Sequence, residues 1–474
     1  MMRNELDQTE LSLEAAGRRM FELAQELYPL HRSITGSGVR RTLDILAERV
    51  PLKTVEVPTG SKVLDWEVPQ EWSIRDAFIA DADGNRLVDY KASNLHVVNY
   101  SQPIKQRMRW GELKDHLTTL PEQPDWIPYR TAYFRDLWGF CLTHRKFLEL
   151  NESPDREVEV CIDATFEDGG LSYGELCLPG ELEDEVLIST HICHPSLAND
   201  NLSGIVVATE LARRLAMQPR RYTYRFIFVP ATIGAITWLS QNRDNIHRVK
   251  HGLILSGVGN ADGLTYKRSR RGHAKVDRAF AHVLGQSGSP HTIRDFTPTG
   301  YDERQFCSPG FNLPMGCLMR TPNGEYPEYH TSADDLEFLS EASLAGTVAT
   351  CLSVFEVLDH DKRFVNQNPF GEPQLGRRGL YRANGEQLAN PLLQQAILWV
   401  LNLSDGRHGL LDVAERSAMP FDVIKEAAVL LERHELIAPV EFAANLDSDN
   451  SAAVAASEAI LDQVSIETPF LNAH

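Results

Sequence analysis

Histidines and a carboxylate gather at one strand–helix junction of the chain. A short apolar run at 186–188 predicts a buried strand, and His191 and His194 follow at its end. Asp200 lies in the polar turn that follows, and apolar residues at helical spacing then predict a helix. Ligands of α/β sheets bind outside the carboxyl ends of strands, and imidazole and carboxylate bind Zn²⁺. The junction therefore predicts a metal site, with polar capping of the strand and the helix as the alternative.

A second group of polar residues lies late in the chain. His330 stands between Glu325, Glu328 and the acidic pair at 334–335. A histidine among acids is typical of a metal ligand with carboxylates around it, whereas a surface loop with a charge run is the alternative. Upstream, residues 302–304 add further acids, or else form a solvated turn with internal salt bridges.

The length and composition indicate an ordinary globular protein. A chain of 474 residues is too long for one core, so we expect two to four domains. The formal net charge of −19 disfavours broad attraction to nucleic acid or to an anionic membrane, because both need a basic surface. The N-terminus lacks the apolar segment of a signal peptide, and the seven cysteines form no Cys-x-x-Cys pair. We therefore expect a cytoplasmic protein with reduced thiols.

The elements that must position these residues follow from the patterns along the chain. From residue 158 onward strand and helix signals alternate, which favours a doubly wound α/β sheet. Two helices predicted at 11–29 and 38–49 are assigned to the same domain. The stretch between is rich in Trp, Pro and short β-like runs, with Asp83-Gly84 as a hairpin turn.

The C-terminal part has a different organisation. Three apolar-periodic segments at 392–401, 410–415 and 421–435 predict a small helix-turn-helix or winged-helix unit. The predicted domains are therefore an α/β domain (1–60 with 158–366), an inserted β-rich domain (61–157), and a winged-helix-like domain with a tail (367–474). The segment in the recognition-helix position carries one Lys and one Arg against four acids, so we expect packing or protein contact there, not DNA binding.

Three long motifs of the chain resemble a known family. The stretches THICHPSLANDNLSG, PATIGAITWLS and GYDERQF…GEYPEYHTSADD are similar to the zinc aminopeptidase-like proteins. More closely, they resemble the subgroup labelled polysaccharide-biosynthesis proteins with an aminopeptidase-like domain. The resemblance spans nearly the whole sequence. It implies a zinc-exopeptidase-like α/β fold with an inserted β-rich domain and a C-terminal winged helix.

The resemblance also implies a ligand set. It makes His191 or His194 the first metal ligand, and spacing alone does not choose between them. It matches Asp200 to the carboxylate that bridges two metals in co-catalytic aminopeptidases, and His330 to the last histidine ligand. Two histidines and a carboxylate with one open position suit a catalytic zinc.

Three positions depart from the family pattern. Ala231 and Thr232 stand where typical members carry a Glu-Glu pair, and Ser256 stands where they carry an Asp ligand. We therefore expect the site to bind one zinc ion and not two. The general base that typical members carry at position 231 is also missing. The candidate replacements are Glu303, Glu325 and Glu328, of which the right one must lie within hydrogen-bond reach of the reacting water.

The expected function is that of a zinc-dependent hydrolase of the aminopeptidase-like class. Its substrate would be a peptide N-terminus or an N-acylated small molecule, with impaired turnover because of Ala231. A non-catalytic metal-binding or scaffold protein is the alternative. We expect no nucleic-acid or membrane partner, and a homo-oligomer is a fair expectation because symmetric oligomers are common.

Overall fold

The computed structural model describes residues 12–380 and 391–440. The chain divides into two compact units, Met1–Asp359 and His360–His474. The predicted C-terminal tail at 441–474 lies outside the described residues.

The first unit contains both helices and strands along its length. Its helices are α1 (Leu13–Leu27), α2 (Ser37–Ala47), α3 (His144–Asn151), α4 (Ser203–Leu215), α5 (Ile233–Gln241), α6 (Lys275–Gln286), α7 (Glu303–Phe306) and α8 (Glu341–His360). Its strands are β1 (Lys53–Pro58), β2 (Lys62–Val63), β3 (Trp66–Glu67), β4 (Glu71–Ala80), β5 (Arg86–Asp89), β6 (Ile104–Arg109), β7 (Leu117–Thr118), β8 (Phe140–Cys141), β9 (Glu157–Glu167), β10 (Gly170–Leu178), β11 (Glu185–His191), β12 (Thr223–Val229), β13 (Val249–Leu255), β14 (Leu264–Lys267), β15 (His291–Arg294) and β16 (Met315–Met319).

An eight-stranded mixed sheet forms the centre of this unit. Its strand order is β1-β10-β12-β11-β13-β16-β14-β15. Strands β12, β11, β13 and β16 run parallel to one another, whereas β10 and β14 join this group in the antiparallel direction. The arrangement confirms the predicted α/β class.

Strand β11 lies inside this parallel group, between β12 and β13. All seven of its residues are buried, because a strand with neighbours on both sides and covered faces has no contact with solvent. Its carboxyl end at His191 leads through a turn at Ala198–Leu202 into α4, whose side chains are also mostly buried. The predicted strand–turn–helix junction is therefore confirmed.

The inserted β-rich region contains a four-stranded antiparallel sheet of order β5-β4-β9-β6. The predicted hairpin turn at Asp83-Gly84 joins β4 to β5. One prediction was wrong: β9 was expected to open the second half of the α/β domain, but it pairs with β4 and β6 in the inserted sheet. Its alternating pattern does not tell which sheet it joins. The predicted domain boundaries otherwise stay a prediction.

Helix α8 is the longest helix of the first unit. It is long and apolar enough to span a membrane by length and composition, but 56% of its most apolar window is buried within the fold. Burial of that kind is typical of the core helix of a globular domain.

The second unit is small and mixed. Its helices are α9 (Pro391–Leu403), α10 (Leu410–Ser417) and α11 (Phe421–Arg433), and its strands are β17 (Arg363–Asn366), β18 (Asp405–Gly409) and β19 (Ile437–Pro439). The strands form a sheet of order β18-β17-β19. The sequence pattern places residues 363–366 at the end of the α/β domain, but in the structure they form the central strand of this sheet. The three helices lie close to their predicted positions.

Candidate metal centre

The loop after β11 carries two buried histidines. His191 is the last residue of the strand, and His194 follows three residues later. The guanidinium of Arg32 supports this loop, because Nε donates to the carbonyl oxygen of His194 at 2.8 Å and a terminal nitrogen donates to that of Pro195 at 2.9 Å. The loop conformation therefore depends on a residue from the N-terminal part of the chain.

The turn that carries Asp200 is held by Asp334. The two carboxyl oxygens of Asp334 accept the backbone N–H groups of Asn199 at 2.5 Å and of Asp200 at 2.9 Å. Burial, together with the charge of Asp200, raises the pKa of Asp334 to about 8. Asp334 is therefore a buried support for the turn, whereas Asp335 is partly buried and accepts the backbone N–H of Glu337 at 2.9 Å.

Three imidazoles surround the carboxylate of Asp200. Its Oδ1 lies 2.9 Å from Nε2 of His191 and 3.5 Å from Nδ1 of His194, and its Oδ2 lies 2.9 Å from Nε2 of His330. Burial alone would raise the pKa of Asp200, but the surrounding imidazoles hold it well below its usual range. Burial lowers the pKa of His330, and the charge of Asp200 opposes that effect.

Two tyrosines, Tyr301 and Tyr329, also contact the histidines and Asp200. The hydroxyl of Tyr301 donates towards both oxygens of Asp200, at 2.9 and 2.8 Å, and lies 2.9 Å from the hydroxyl of Tyr329. The ring of Tyr301 stacks on His191 at 4.3 Å, and that of Tyr329 stacks on His330 at 3.9 Å. Burial raises the pKa of Tyr301 well above its ordinary value, so the phenol remains protonated.

Tyr129 brings the inserted region to the same place. Its ring meets those of His194 and His330 edge-on at 5.2 and 5.1 Å, and its backbone N–H donates to the carbonyl oxygen of His330 at 2.7 Å. The β-rich insertion therefore contributes directly to the histidine cluster.

The donor set fits a zinc ion. Ligand atoms of His191, His194 and Asp200 lie within 4.8 Å of one another, and all three residues are buried. Among the described residues, Nδ1 of His194 and Nε2 of His330 are buried without a hydrogen bond of acceptable geometry. Bonds of about 2.1 Å in a tetrahedral zinc site place neighbouring ligand atoms about 3.4 Å apart. The distances from Oδ1 of Asp200 to the nitrogens of His191 and His194, 2.9 and 3.5 Å, bracket this value.

The positions that depart from the family pattern provide no carboxylate here. Ala231 and Thr232 follow β12, and the backbone N–H of Ala231 lies 3.3 Å from Sγ of Cys193. Ser256 follows β13, and its buried hydroxyl has no hydrogen-bond partner among the described residues. These positions lie at the ends of the strands on either side of β11.

The candidate bases lie in different surroundings. Glu325 is half-exposed and bound by both terminal nitrogens of Arg294, at 2.5 and 2.8 Å, and this pairing lowers its pKa. Glu303 is buried and accepts from Nζ of Lys267 at 2.7 Å, with Oε2 unpaired among the described residues. Glu328 is partly buried, two residues before His330.

Sequence reasoning did not assign a role to several residues of this site. Asp302 is buried beside Tyr301, and burial together with Glu303 raises its pKa to about 8. The signal in the sequence is the Tyr-Asp-Glu run at 301–303, which by itself indicates only a source of acids. Arg32 and Tyr129 had no local signal.

Comparisons with known proteins agree with this architecture. The family model described as "Domain of unknown function (DUF4910)" matches residues 21–361, and one described as "winged helix-turn-helix" matches residues 362–439. A protein of Clostridium acetobutylicum, provisionally named polysaccharide biosynthesis protein with aminopeptidase-like domain, is 47% identical over 421 residues. The alignment covers 89% of this chain and 96% of that protein.

Solved structures show the same fold. A crystal structure from Clostridium acetobutylicum, provisionally described as a peptidase, is 44% identical with a TM-score of 0.86, and the match covers 92% of this chain and 100% of that one. A zinc aminopeptidase from Bacillus subtilis matches 73% of this chain and 95% of its own, with a TM-score of 0.55 and 14% identity, which supports the fold alone. The chain therefore belongs to the DUF4910 family, as an aminopeptidase-like α/β protein with a C-terminal winged helix.

Proposed function

We propose that this protein is a zinc-dependent hydrolase that cleaves an amide bond, at a peptide N-terminus or in an N-acyl group. The observation that carries the proposal is the convergence of His191, His194 and Asp200 at the carboxyl end of β11. A zinc ion held there supplies Lewis acidity and a nucleophile at neutral pH. The name of the Clostridium relative supports a substrate related to polysaccharide synthesis, such as an N-acylated sugar derivative.

The residues of the chain keep this site in one arrangement. Asp334 fixes the backbone of the Asp200 turn, and Tyr301 fixes the Asp200 carboxylate, so the ligand does not have to be ordered when substrate binds. Of the candidate bases, Glu325 is the least suited because Arg294 binds both of its oxygens and lowers its pKa. Glu303 and Glu328 remain the candidates for moving the proton.

We also propose that the protein acts in the cytoplasm on a soluble small molecule or peptide. The formal net charge of −19 disfavours nucleic-acid and anionic-membrane partners. A homo-oligomer is also proposed.

The test measures zinc content and amide hydrolysis in parallel. The purified protein, Ala231→Glu and the size-matched Ala231→Gln are assayed against aminoacyl anilides and N-acetylated amino sugars. We expect Ala231→Glu to raise the rate about 10²–10⁴-fold, because it restores a general base, while Ala231→Gln leaves the rate unchanged. Zinc binding without hydrolysis by any of the three proteins would contradict the hydrolase proposal and favour the metal-binding scaffold, for which the absence of acids at Ala231, Thr232 and Ser256 is the supporting observation.

A further inference from the structure

The carboxylate of Asp200 divides the three imidazoles into two groups. His191 and His194 face Oδ1, whereas His330 faces Oδ2. Only the first two share with Asp200 a set of ligand atoms that all lie within 4.8 Å, and His330 belongs to no such set among the described residues. One ion therefore has three ligands on the Oδ1 side, and an ion on the Oδ2 side would have two from this group.

The hydroxyl of Tyr301 lies next to both carboxylate oxygens of Asp200. The Tyr301 oxygen lies 2.9 Å from Oδ1 and 2.8 Å from Oδ2, and it is 2.9 Å from the Tyr329 oxygen. Because each hydroxyl has one proton, Tyr329 can donate to Tyr301 while Tyr301 donates to Asp200, and such chains of hydrogen bonds strengthen one another. The two tyrosines connect the His191 side to the His330 side.

Stacking holds these hydroxyls in place. The Tyr301 ring is inclined by 16° to His191, and the Tyr329 ring by 12° to His330. Tyr301 is therefore held in position by its contact with His191, and Tyr329 by its contact with His330.

The neighbouring strand ends do not provide ligands for a second cation. Ala231 and Thr232 have no carboxylate, and Ser256 offers a neutral hydroxyl. Asp200 and His330 alone leave a second cation short of the three protein ligands that a catalytic zinc site has.

We propose that the hydroxyl pair of Tyr301 and Tyr329 takes the place of a second cation, so that the centre holds one zinc on His191, His194 and Asp200. This inference rests on the zinc of the proposed function. It removes His330 from the ligand set that the family resemblance implies. It also makes Tyr301 a positioning residue, which holds Asp200 by donating towards both of its carboxylate oxygens.

The test is zinc stoichiometry by elemental analysis after equilibration with excess zinc and gel filtration. The full-length protein is compared with His194→Ala, His330→Ala and Tyr301→Phe. We expect one zinc per chain in the unmodified protein and in His330→Ala, and a loss in His194→Ala. Two zinc ions per chain, or a loss in His330→Ala as large as that in His194→Ala, would overturn the proposal.

A second readout separates positioning from general folding. Zinc affinity is measured by competition with a chelator, and the visible absorption of the cobalt-loaded protein reports the coordination geometry. Loss of a group that orients a ligand typically weakens metal affinity about 10–100-fold, so Tyr301→Phe should lose affinity by that factor with an unchanged far-UV circular dichroism spectrum. An unchanged affinity and cobalt spectrum in Tyr301→Phe would contradict its positioning role.

The outcomes also distinguish the two proposals. One zinc with no amide hydrolysis would remove the proposed function and leave this inference, whereas hydrolysis with two zinc ions would do the reverse. A protein that binds no zinc would overturn both.

Discussion

Arg32 donates from Nε to the backbone carbonyl oxygen of His194 at 2.8 Å, so the segment after α1 is tied to the metal-site loop. Its other nitrogens donate to the carbonyl oxygens of Leu27 at 2.6 Å and Pro195 at 2.9 Å. Arg32 is almost fully buried, and burial lowers its pKa to about 10. A buried cation is costly unless hydrogen bonds satisfy it, and here backbone carbonyls do so.

Removal of this guanidinium should affect both stability and zinc binding. Arg32→Met leaves buried carbonyl oxygens without donors, so we expect a loss of about 3 kcal/mol in the free energy of unfolding, measured with urea. Zinc affinity should fall as well, because the His194 loop loses its support. Arg18, which pairs with Glu14 at the surface, provides the control: Arg18→Met should change neither quantity appreciably.

The inserted region should contribute to metal binding through Tyr129. Its buried ring contacts His194 and His330, and its hydroxyl lies 3.2 Å from that of Tyr133. Tyr129→Ala should cost about 3–5 kcal/mol by opening a cavity, and should weaken zinc binding in a chelator competition assay. Tyr129→Phe keeps the ring and should retain most of the affinity. If truncation of the half-exposed Phe134 to Ala had an equal effect, the specific role of Tyr129 would be excluded.

Stability should decrease in acid through His31. Burial, with the nearby charge of Arg32, lowers the pKa of His31 from 6.5 to about 3. Below pH 6.5 the unfolded chain therefore binds a proton that the folded chain does not, so this stabilisation is present above pH 6.5 and is lost as the pH falls towards 3. Between pH 7.5 and 5, this residue alone should remove about 2 kcal/mol from the free energy of unfolding.

The measurement is urea unfolding of the zinc-free protein across this pH range. His31→Gln should show a shallower dependence on pH than the unmodified protein. His247→Gln, at an exposed position, should keep the original dependence. Identical slopes for His31→Gln and the unmodified protein would show that His31 titrates normally in the folded state.

The winged helix should not bind DNA with useful affinity. Helix α11 and the residues after it are acidic overall, and phosphate contacts require cations. Fluorescence anisotropy with a labelled duplex at physiological salt should detect no binding up to about 100 μM protein, which is the weak end of non-specific affinity. Tight binding that weakens steeply as salt is added would contradict this prediction and support a DNA-binding role for the winged helix.

The sequence by itself determined the local elements of the site. The apolar run of β11, the polar turn and the apolar periodicity of α4 predict the junction where His191, His194 and Asp200 lie, and the structure confirms it. The α/β class and the winged helix were predicted in the same way, because periodicity reports which residues a strand or helix buries. The acids around His330 made it a candidate ligand, and the family resemblance matched it to the last histidine ligand.

Only the tertiary structure decided how distant residues meet around these ligands. Tyr301 reaches Asp200 across 101 residues of sequence, and Asp334 reaches the same turn across 134 residues. It also decided that β9 pairs within the inserted sheet, since its alternating pattern fits either sheet. A local pattern records burial and backbone preference, but the partner of a buried polar group is set by chain topology. That topology decides which oxygen of Asp200 each histidine faces. It therefore also decides which residues can bind the same ion.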